Sequence, residues 1–215
     1  TYSEASSVLG YDLWKLVQQG PAEALDQTVH TQPALLAGSY AIWRILETKK
    51  KIRPALLAGH SLGEYTALVC AGALQFSDAI RLVAARGQYM QEAAPAGQGA
   101  LAAIIGLDEA AVSELCSKAA LINEVLTPAN FNSPGQVVVA GHTTAVERVV
   151  TLAKAAGARM AKLLPVSVSS HCALMKPAAE QLQKLLATIP VQTPVIPVLN
   201  NVDVVIYQDA EAIRD

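Results

Sequence analysis

Aromatic residues make up 5% of this chain of 215 residues and charged residues 16%, whereas 52% of it is hydrophobic. So few charges beside so much apolar content exclude an intrinsically disordered chain, which could not bury a core. Neither sign of charge dominates. The 16 basic and 18 acidic side chains leave a formal charge of −2, a balance that offers nucleic acid nothing. No apolar run approaches the roughly 20 residues of a membrane span, and no signal peptide is read at Thr1. Cys70, Cys116 and Cys172 are odd in number, far apart and without a C-x-x-C pair, which points to reduced thiols in a cytoplasmic setting. His30, His60, His142 and His171 lack companions at ligand spacing, so no metal site is expected.

What is present is alanine, valine and leucine, a mixture suited to parallel strands packed under helices. The length fits one large domain or a domain carrying a smaller inserted one. Asp12 is placed to cap a short helix ending at Gly20, and Thr31 with Pro33 opens a longer one toward Lys49. Lys49, Lys50, Lys51 and Arg53 cluster at that helix's end, where cations complement the dipole. A docking spot for an acidic partner is the functional alternative. Helices are expected over 62–71 and from Ser77 and Asp78 onward, the second carrying Ile80, Val83, Gly87 and Met90 on one face. The Pro-Ala-Gly-Gln-Gly stretch at 95–99 reads as a linker.

Beyond it the rhythm changes. A strand over 100–105 and a helix over 108–120 precede strands at 128–132 and 136–140, joined by Ser133-Pro134-Gly135. A helix over 143–156 and a strand over 159–164 complete the order β-α-β-β-α-β, that of a ferredoxin-like fold. We read 98–165 as an inserted small subdomain within a larger α/β part formed by 1–97 and 166–215. In that part a strand over 166–170 should enter His171, followed by a helix carrying Leu174, Leu182, Leu185 and Leu186 and a strand over 195–199. Asp209 is expected to cap a last helix stopping at Asp215, an ending that reads as a cut.

Chemistry is concentrated at Gly59-His60-Ser61-Leu62-Gly63-Glu64-Tyr65. A short apolar run leads into a serine with a glycine two positions away on each side, and a helix-forming run follows. That is the form of a nucleophile elbow, a tight strand-to-helix turn that lifts a serine hydroxyl into solvent. Both glycines are expected to be required, because strand and helix approach too closely for a Cβ. A serine nucleophile needs a base within hydrogen-bond reach. His171, where a strand meets a loop, is the best candidate; a satisfied, partly buried histidine is the plain alternative. His60 should leave the elbow in another direction, and His30 and His142 read as caps or surface residues. Of the acids between Ser61 and His171, all but Glu64 and Glu124 fall in or beside expected helices away from the strand ends, and none is a convincing triad acid. Arg86 lies 25 residues beyond Ser61 in an apolar helix, as a surface side chain or as a clamp for a substrate carboxylate.

Together with Arg86 and Ser169-Ser170-His171-Cys172, the elbow resembles that of the bacterial malonyl-CoA:acyl carrier protein transacylases of type II fatty acid synthesis. Thr31-Gln32-Pro33-Ala34-Leu35, the stretch from Asn130 to Gln136 and Asn200-Asn201-Val202-Asp203 match as well. The resemblance implies an α/β-hydrolase-like large subdomain with a ferredoxin-like insertion. It implies malonyl-CoA as substrate, acyl carrier protein as partner, no bound cofactor or metal, and a monomer. Ser61 would form a malonyl-serine, His171 would act as base and then acid, and Leu62 would lend a backbone oxyanion donor. Arg86 would pair with the free carboxylate, with His60, Gln32 and Asn130 also at the substrate. In this family a backbone carbonyl orients the histidine, which accounts for the missing triad acid. Lys49 to Arg53 and Lys176 are candidates for carrier docking. Family members begin with a strand and a Gly-Gln-Gly loop giving a second oxyanion donor; this sequence is expected to start after that loop and to end before the segment supplying the carbonyl. Ser169 stands where many relatives carry proline, with a local backbone effect expected. An acyltransferase domain of a polyketide synthase, a serine esterase and a fragment that only binds carrier protein are the competing readings.

Overall fold

The computed structural model describes residues 1–50, 52–95, 97–164 and 168–214. Lys51 of the basic cluster, Ala96 of the linker, Pro165 at the subdomain end, Val166 and Ser167 of the expected strand, and Asp215 lie outside the described residues. The chain divides into two units, Thr1–Gln88 with Gln181–Asp215, and Tyr89–Glu180.

The first unit opens with helices α1 (Tyr2–Leu9), α2 (Leu13–Gln19) and α3 (Ala22–Leu25). Asp12 caps α2 as its sequence position implies, its carboxylate accepting the Lys15 N–H at 2.9 Å. Helix α4 (Thr28–Ile45) starts three residues before the expected Thr31 and runs into a π-helical turn, Leu46–Lys50. Thr31 does not cap it. Its hydroxyl donates back to the Gln27 and Leu25 carbonyls, and Pro33 sits inside the helix, with no N–H to donate to Val29. Strand β1 (Leu57–Ala58) feeds α5 (Leu62–Cys70), and α6 (Phe76–Ala93) follows. Asp78 does not cap α6, which begins at Phe76; its carboxylate instead accepts from Arg81 at 3.1 Å, one turn on.

In the second unit β2 (Gly99–Ile105), α7 (Glu109–Ala119), β3 (Leu126–Ser133), β4 (Gln136–His142), α8 (Thr143–Ala155) and β5 (Met160–Leu163) follow in the expected order. The Asp108 carboxylate caps α7 by accepting the Ala111 N–H at 2.7 Å. The sheet is antiparallel in the order β3-β4-β2-β5, with Ala102 between Val139 and Leu163. Strand alternation sends Ala102, Ile104, Val137 and Val139 onto Val112 and Cys116 of α7 and Val146 and Val149 of α8.

Past β5 the expectations hold less well. Val168 to Ser170 form irregular backbone in place of a strand, and Leu174 belongs to a separate 3₁₀ turn, Ala173–Met175. Helix α9 (Lys176–Leu186) turns Leu182, Leu185 and Leu186 onto the core of the first unit. That core is built on Leu36, Leu68, Ile80, Leu82, Val83 and Val198. Strand β6 is only Val198–Leu199, parallel to β1. Pro194 and Pro197 have no N–H to extend its ladder, though the Pro197 carbonyl still accepts from Leu57 at 2.8 Å. Asp209 does accept the Glu211 and Ala212 N–H groups, but the segment makes a turn in place of a helix. The architecture is mixed α/β, with a parallel pair and an antiparallel sheet. No helix among the described residues is long and apolar enough to cross a membrane.

The glycine expectation divides. A Cβ on Gly59 would stand 2.0 Å from the carbonyl carbon and oxygen of Gly63, while one on Gly63 meets nothing within 4 Å. The close approach of β1 and α5 therefore falls on Gly59 alone. Gly59→Ala should lower unfolding free energy by about 3 kcal/mol or more through overpacking against backbone. Gly63→Ala, at a helical position, should raise it by up to about 1 kcal/mol. Denaturant unfolding of the two variants checks the contrast, and equal losses would contradict it.

Candidate active site

Ser61 is the residue before the first turn of α5, with φ 52 and ψ −109. A non-glycine residue there carries about 1–3 kcal/mol of backbone strain and persists only where its surroundings impose it. Strand β1 on one side and α5 on the other do so, closed by hydrogen bonds from Gly63 N–H to the His60 carbonyl (2.9 Å) and from Glu64 N–H to the Ser61 carbonyl (3.2 Å). The hydroxyl thus stands at a helix N-terminus, where the aligned dipoles favour negative charge.

Arg86 reaches this serine from α6, its Nη2 donating to Ser61 Oγ at 3.2 Å. Its Nη1 donates to Gln32 Oε1 at 2.7 Å, so α4 holds one arm of the guanidinium while the other addresses the serine. Gln32 is 5% exposed, which keeps that acceptor away from competing water. Gly87 makes the approach possible: a Cβ there would lie 2.6 Å from the Thr28 carbonyl oxygen and 2.7 Å from the Val29 Cα. Tyr65 completes the setting, with the guanidinium carbon 5.6 Å from its ring centre. Burial raises the Tyr65 phenol above its usual range and the neighbouring Arg86 opposes the shift. The ring therefore presents a neutral face to the cation.

A set of contacts that sequence reasoning missed surrounds the elbow. Asn201, two residues past β6, accepts the Ser61 N–H on Oδ1 at 3.1 Å and donates from Nδ2 to the Gly59 carbonyl at 2.7 Å. Its own N–H donates to Glu64 Oε2 at 3.0 Å, and its Nδ2 reaches the same oxygen. The Tyr207 hydroxyl donates to Glu64 Oε1. The signal present in the sequence is the Asn200-Asn201-Val202-Asp203 stretch just after an apolar run.

Leu62 is buried as the first residue of α5, and His60 is exposed beside Ser61. Ser61, Arg86 and Gln32 are brought together in the first unit. His171 and Asn130 belong to the second. His171 is exposed at φ 60, and Asn130 sits half-buried at a register shift in β3. Ser169 does more than bend the chain: fully buried, its Oγ lies 3.2 Å from the Ala100 carbonyl and 3.1 Å from that of Gly141, anchoring the segment that carries His171 onto β2 and β4. Of the two acids set apart in the sequence, Glu64, in the first turn of α5, is engaged with Asn201 and Tyr207. Glu124 accepts from Leu121, Thr144 and Arg148, and the Leu121 N–H foremost holds its carboxyl below the usual range. His30 lies 2.8 Å from the Ala24 carbonyl through Nδ1, and His142 Nδ1 accepts the Val125 N–H; neither imidazole caps a helix. Burial pushes the Cys70 thiol up to about 12 and that of Cys116 up to about 11, so neither offers a thiolate at neutral pH. No group of His, Cys, Asp or Glu among the described residues is arranged to hold a metal ion.

A strained serine at a helix N-terminus with a half-buried guanidinium on its hydroxyl suits attack on an acyl group that itself carries negative charge. The profile of the family described as "Acyl transferase domain" matches residues 4–206. A malonyl CoA-acyl carrier protein transacylase of Salmonella typhimurium is 59% identical over 215 residues, covering 100% of this chain and 69% of that protein. An acyl carrier protein S-malonyltransferase of Vibrio cholerae superposes with a TM-score of 0.95 at 60% identity, over 100% of this chain and 70% of that one. A malonyl-transacylase solved in complex with a type II PKS acyl-carrier protein superposes with a TM-score of 0.97 at 59% identity, over 99% of this chain and 69% of that one. The chain belongs to the acyl transferase domain family.

Proposed function

We propose that this protein moves a malonyl group from malonyl-CoA to the pantetheine thiol of acyl carrier protein in fatty acid synthesis. The single observation that carries the reading is the Arg86 guanidinium on Ser61 Oγ, in a chain 59% identical to a malonyl CoA-acyl carrier protein transacylase. Ser61 Oγ attacks the thioester carbonyl, the carbon–sulfur bond breaks, and coenzyme A leaves as the thiol. The carrier thiol then attacks the serine ester and regenerates Ser61. His171 takes the Ser61 proton in the first half and the carrier's thiol proton in the second. Leu62, first residue of α5, carries an amide that the helix itself cannot satisfy and offers it to the oxyanion.

Arg86 sets the choice of acyl group. The malonyl carboxylate lies two carbons from the carbonyl that Ser61 attacks, within reach of a cation already on the serine hydroxyl. Acetyl has no group to meet that cation and leaves it as it was. Gln32 keeps the guanidinium oriented, with His60 and Asn130 as further substrate contacts. In the same reading the antiparallel sheet with its two helices is a ferredoxin-like insertion, residues 98–165, in an α/β-hydrolase-like subdomain of 1–97 and 166–215, which the order β3-β4-β2-β5 supports. It takes the protein to be a cytoplasmic monomer needing no metal or cofactor, with Lys49, Arg53 and Lys176, all exposed, as basic contacts for the carrier. A carrier of polyketide synthesis is the second reading, favoured by the relative solved with a type II PKS acyl-carrier protein.

Incubating the intact protein with malonyl-CoA alone should add one malonyl group, located on Ser61 by peptide mapping, and Ser61→Ala should abolish it. An unmodified protein would contradict the transfer mechanism. Arg86→Ala should lower kcat/KM for malonyl-CoA by about 100-fold or more and leave that for acetyl-CoA within about threefold, since only the malonyl carboxylate loses its partner. Competition assays with the two thioesters check this, and unchanged selectivity would remove the clamp.

A further inference from the structure

Ser61 keeps its strained turn only if something outside the turn holds both of its ends. We infer that Asn201 is the positioning residue for the nucleophile, clamping the elbow through its side-chain amide while Glu64 and Tyr207 hold the clamp. This rests on the reading of Ser61 as the acyl-accepting serine.

The geometry is specific to an asparagine. Oδ1 accepts the N–H of Ser61 itself, and Nδ2 donates to the carbonyl of Gly59, two residues earlier. One planar group therefore bridges the turn, fixing the peptide before the nucleophile and the peptide of the nucleophile at once. An aspartate could accept the first bond but has no donor for the Gly59 carbonyl, and it would set a second carboxylate against Glu64. Leucine or alanine would leave both backbone groups to solvent and the turn unbridged.

The clamp is itself held from two directions. Glu64, in the first turn of α5, accepts from the Asn201 N–H and side-chain amide on one oxygen and from the Tyr207 hydroxyl on the other. Burial foremost, and next the hydrogen bond to Glu64, raises the Tyr207 phenol above its usual range, which keeps it a donor across the neutral range. The neighbouring Asn200 shapes the loop, its Oδ1 accepting the Asp203 N–H at 3.0 Å and its own N–H donating to the Val205 carbonyl at 3.0 Å. Asn201 thus sits between β6, which runs beside β1, and the helix that follows the serine. It ties together the two elements whose junction is the elbow. None of these groups needs to touch substrate. Asn201 acts through Ser61.

A positioning role of this kind separates kcat from KM. In the intact protein Asn201→Ala should lower kcat for malonyl transfer by about tenfold or more and leave KM for malonyl-CoA within about twofold, because Arg86 is undisturbed. The Ser61 amide proton should exchange with solvent about tenfold faster in that variant, since its acceptor is gone. Wild-type kcat together with wild-type exchange would overturn the proposal. If Asn201→Ala fails to fold, Tyr207→Phe, which removes one hydroxyl, decides: a kcat loss of about threefold at unchanged KM supports the clamp, and wild-type kcat overturns it. Should the unsubstituted protein take no malonyl group at Ser61, the transfer reading fails on its own. The exchange comparison then decides the clamp alone, faster exchange supporting it and unchanged exchange overturning it.

Discussion

A serine held at φ 52 between a two-residue strand and a helix is the constraint on which the rest of this site depends. No polypeptide adopts that turn by preference. It exists because Gly59 lets β1 pass within contact of the Gly63 backbone, and because the ends of the turn are bonded elsewhere. The result places a hydroxyl at a helix N-terminus, where the aligned dipoles favour negative charge. The strain is small against the burial of Leu36, Leu68, Ile80 and Val198 in the surrounding core, each contributing about 1.5–3 kcal/mol. The core can therefore maintain a local conformation that would not survive alone.

Charge gives the elbow its direction. A serine turn by itself suits any acyl group. A guanidinium fixed on Gln32, supported by the neutral ring of Tyr65 and touching the serine hydroxyl, suits one that ends in a carboxylate. Gly87 and Gly59 perform the same service at two places, each allowing backbones to meet where a methyl group would keep them apart. Charge is scarce in this chain, so a half-buried arginine that reaches the serine is informative.

Much of this was legible in the sequence, and the failures have physical causes. The β-α-β-β-α-β order is legible because the short apolar runs of β2 and β4, the Asp108 cap and the Pro134-Gly135 turn all act over short distances. Ser61 and Arg86 were legible because each breaks its local pattern. Strand β6 is shorter than its apolar run suggests because Pro194 and Pro197 remove its donors. Helix α4 began early because Thr31 bonds backward, a choice that spacing cannot disclose. The two glycines of the elbow look equivalent in the sequence, but the steric need belongs to Gly59. The stretch Asn200-Asn201-Val202-Asp203 is visible in the sequence, but the clamp is not: residues 140 positions apart meet only after β1 and β6 pair.

The central claim is that Ser61 carries a carboxylated acyl group whose charge rests on Arg86. Its most direct test is the structure of the intact protein after reaction with malonyl-CoA. The account predicts a malonyl ester on Ser61 Oγ with its free carboxylate hydrogen-bonded to the Arg86 guanidinium. An ester on any other side chain, or a malonyl carboxylate turned away from Arg86 into solvent, would contradict it.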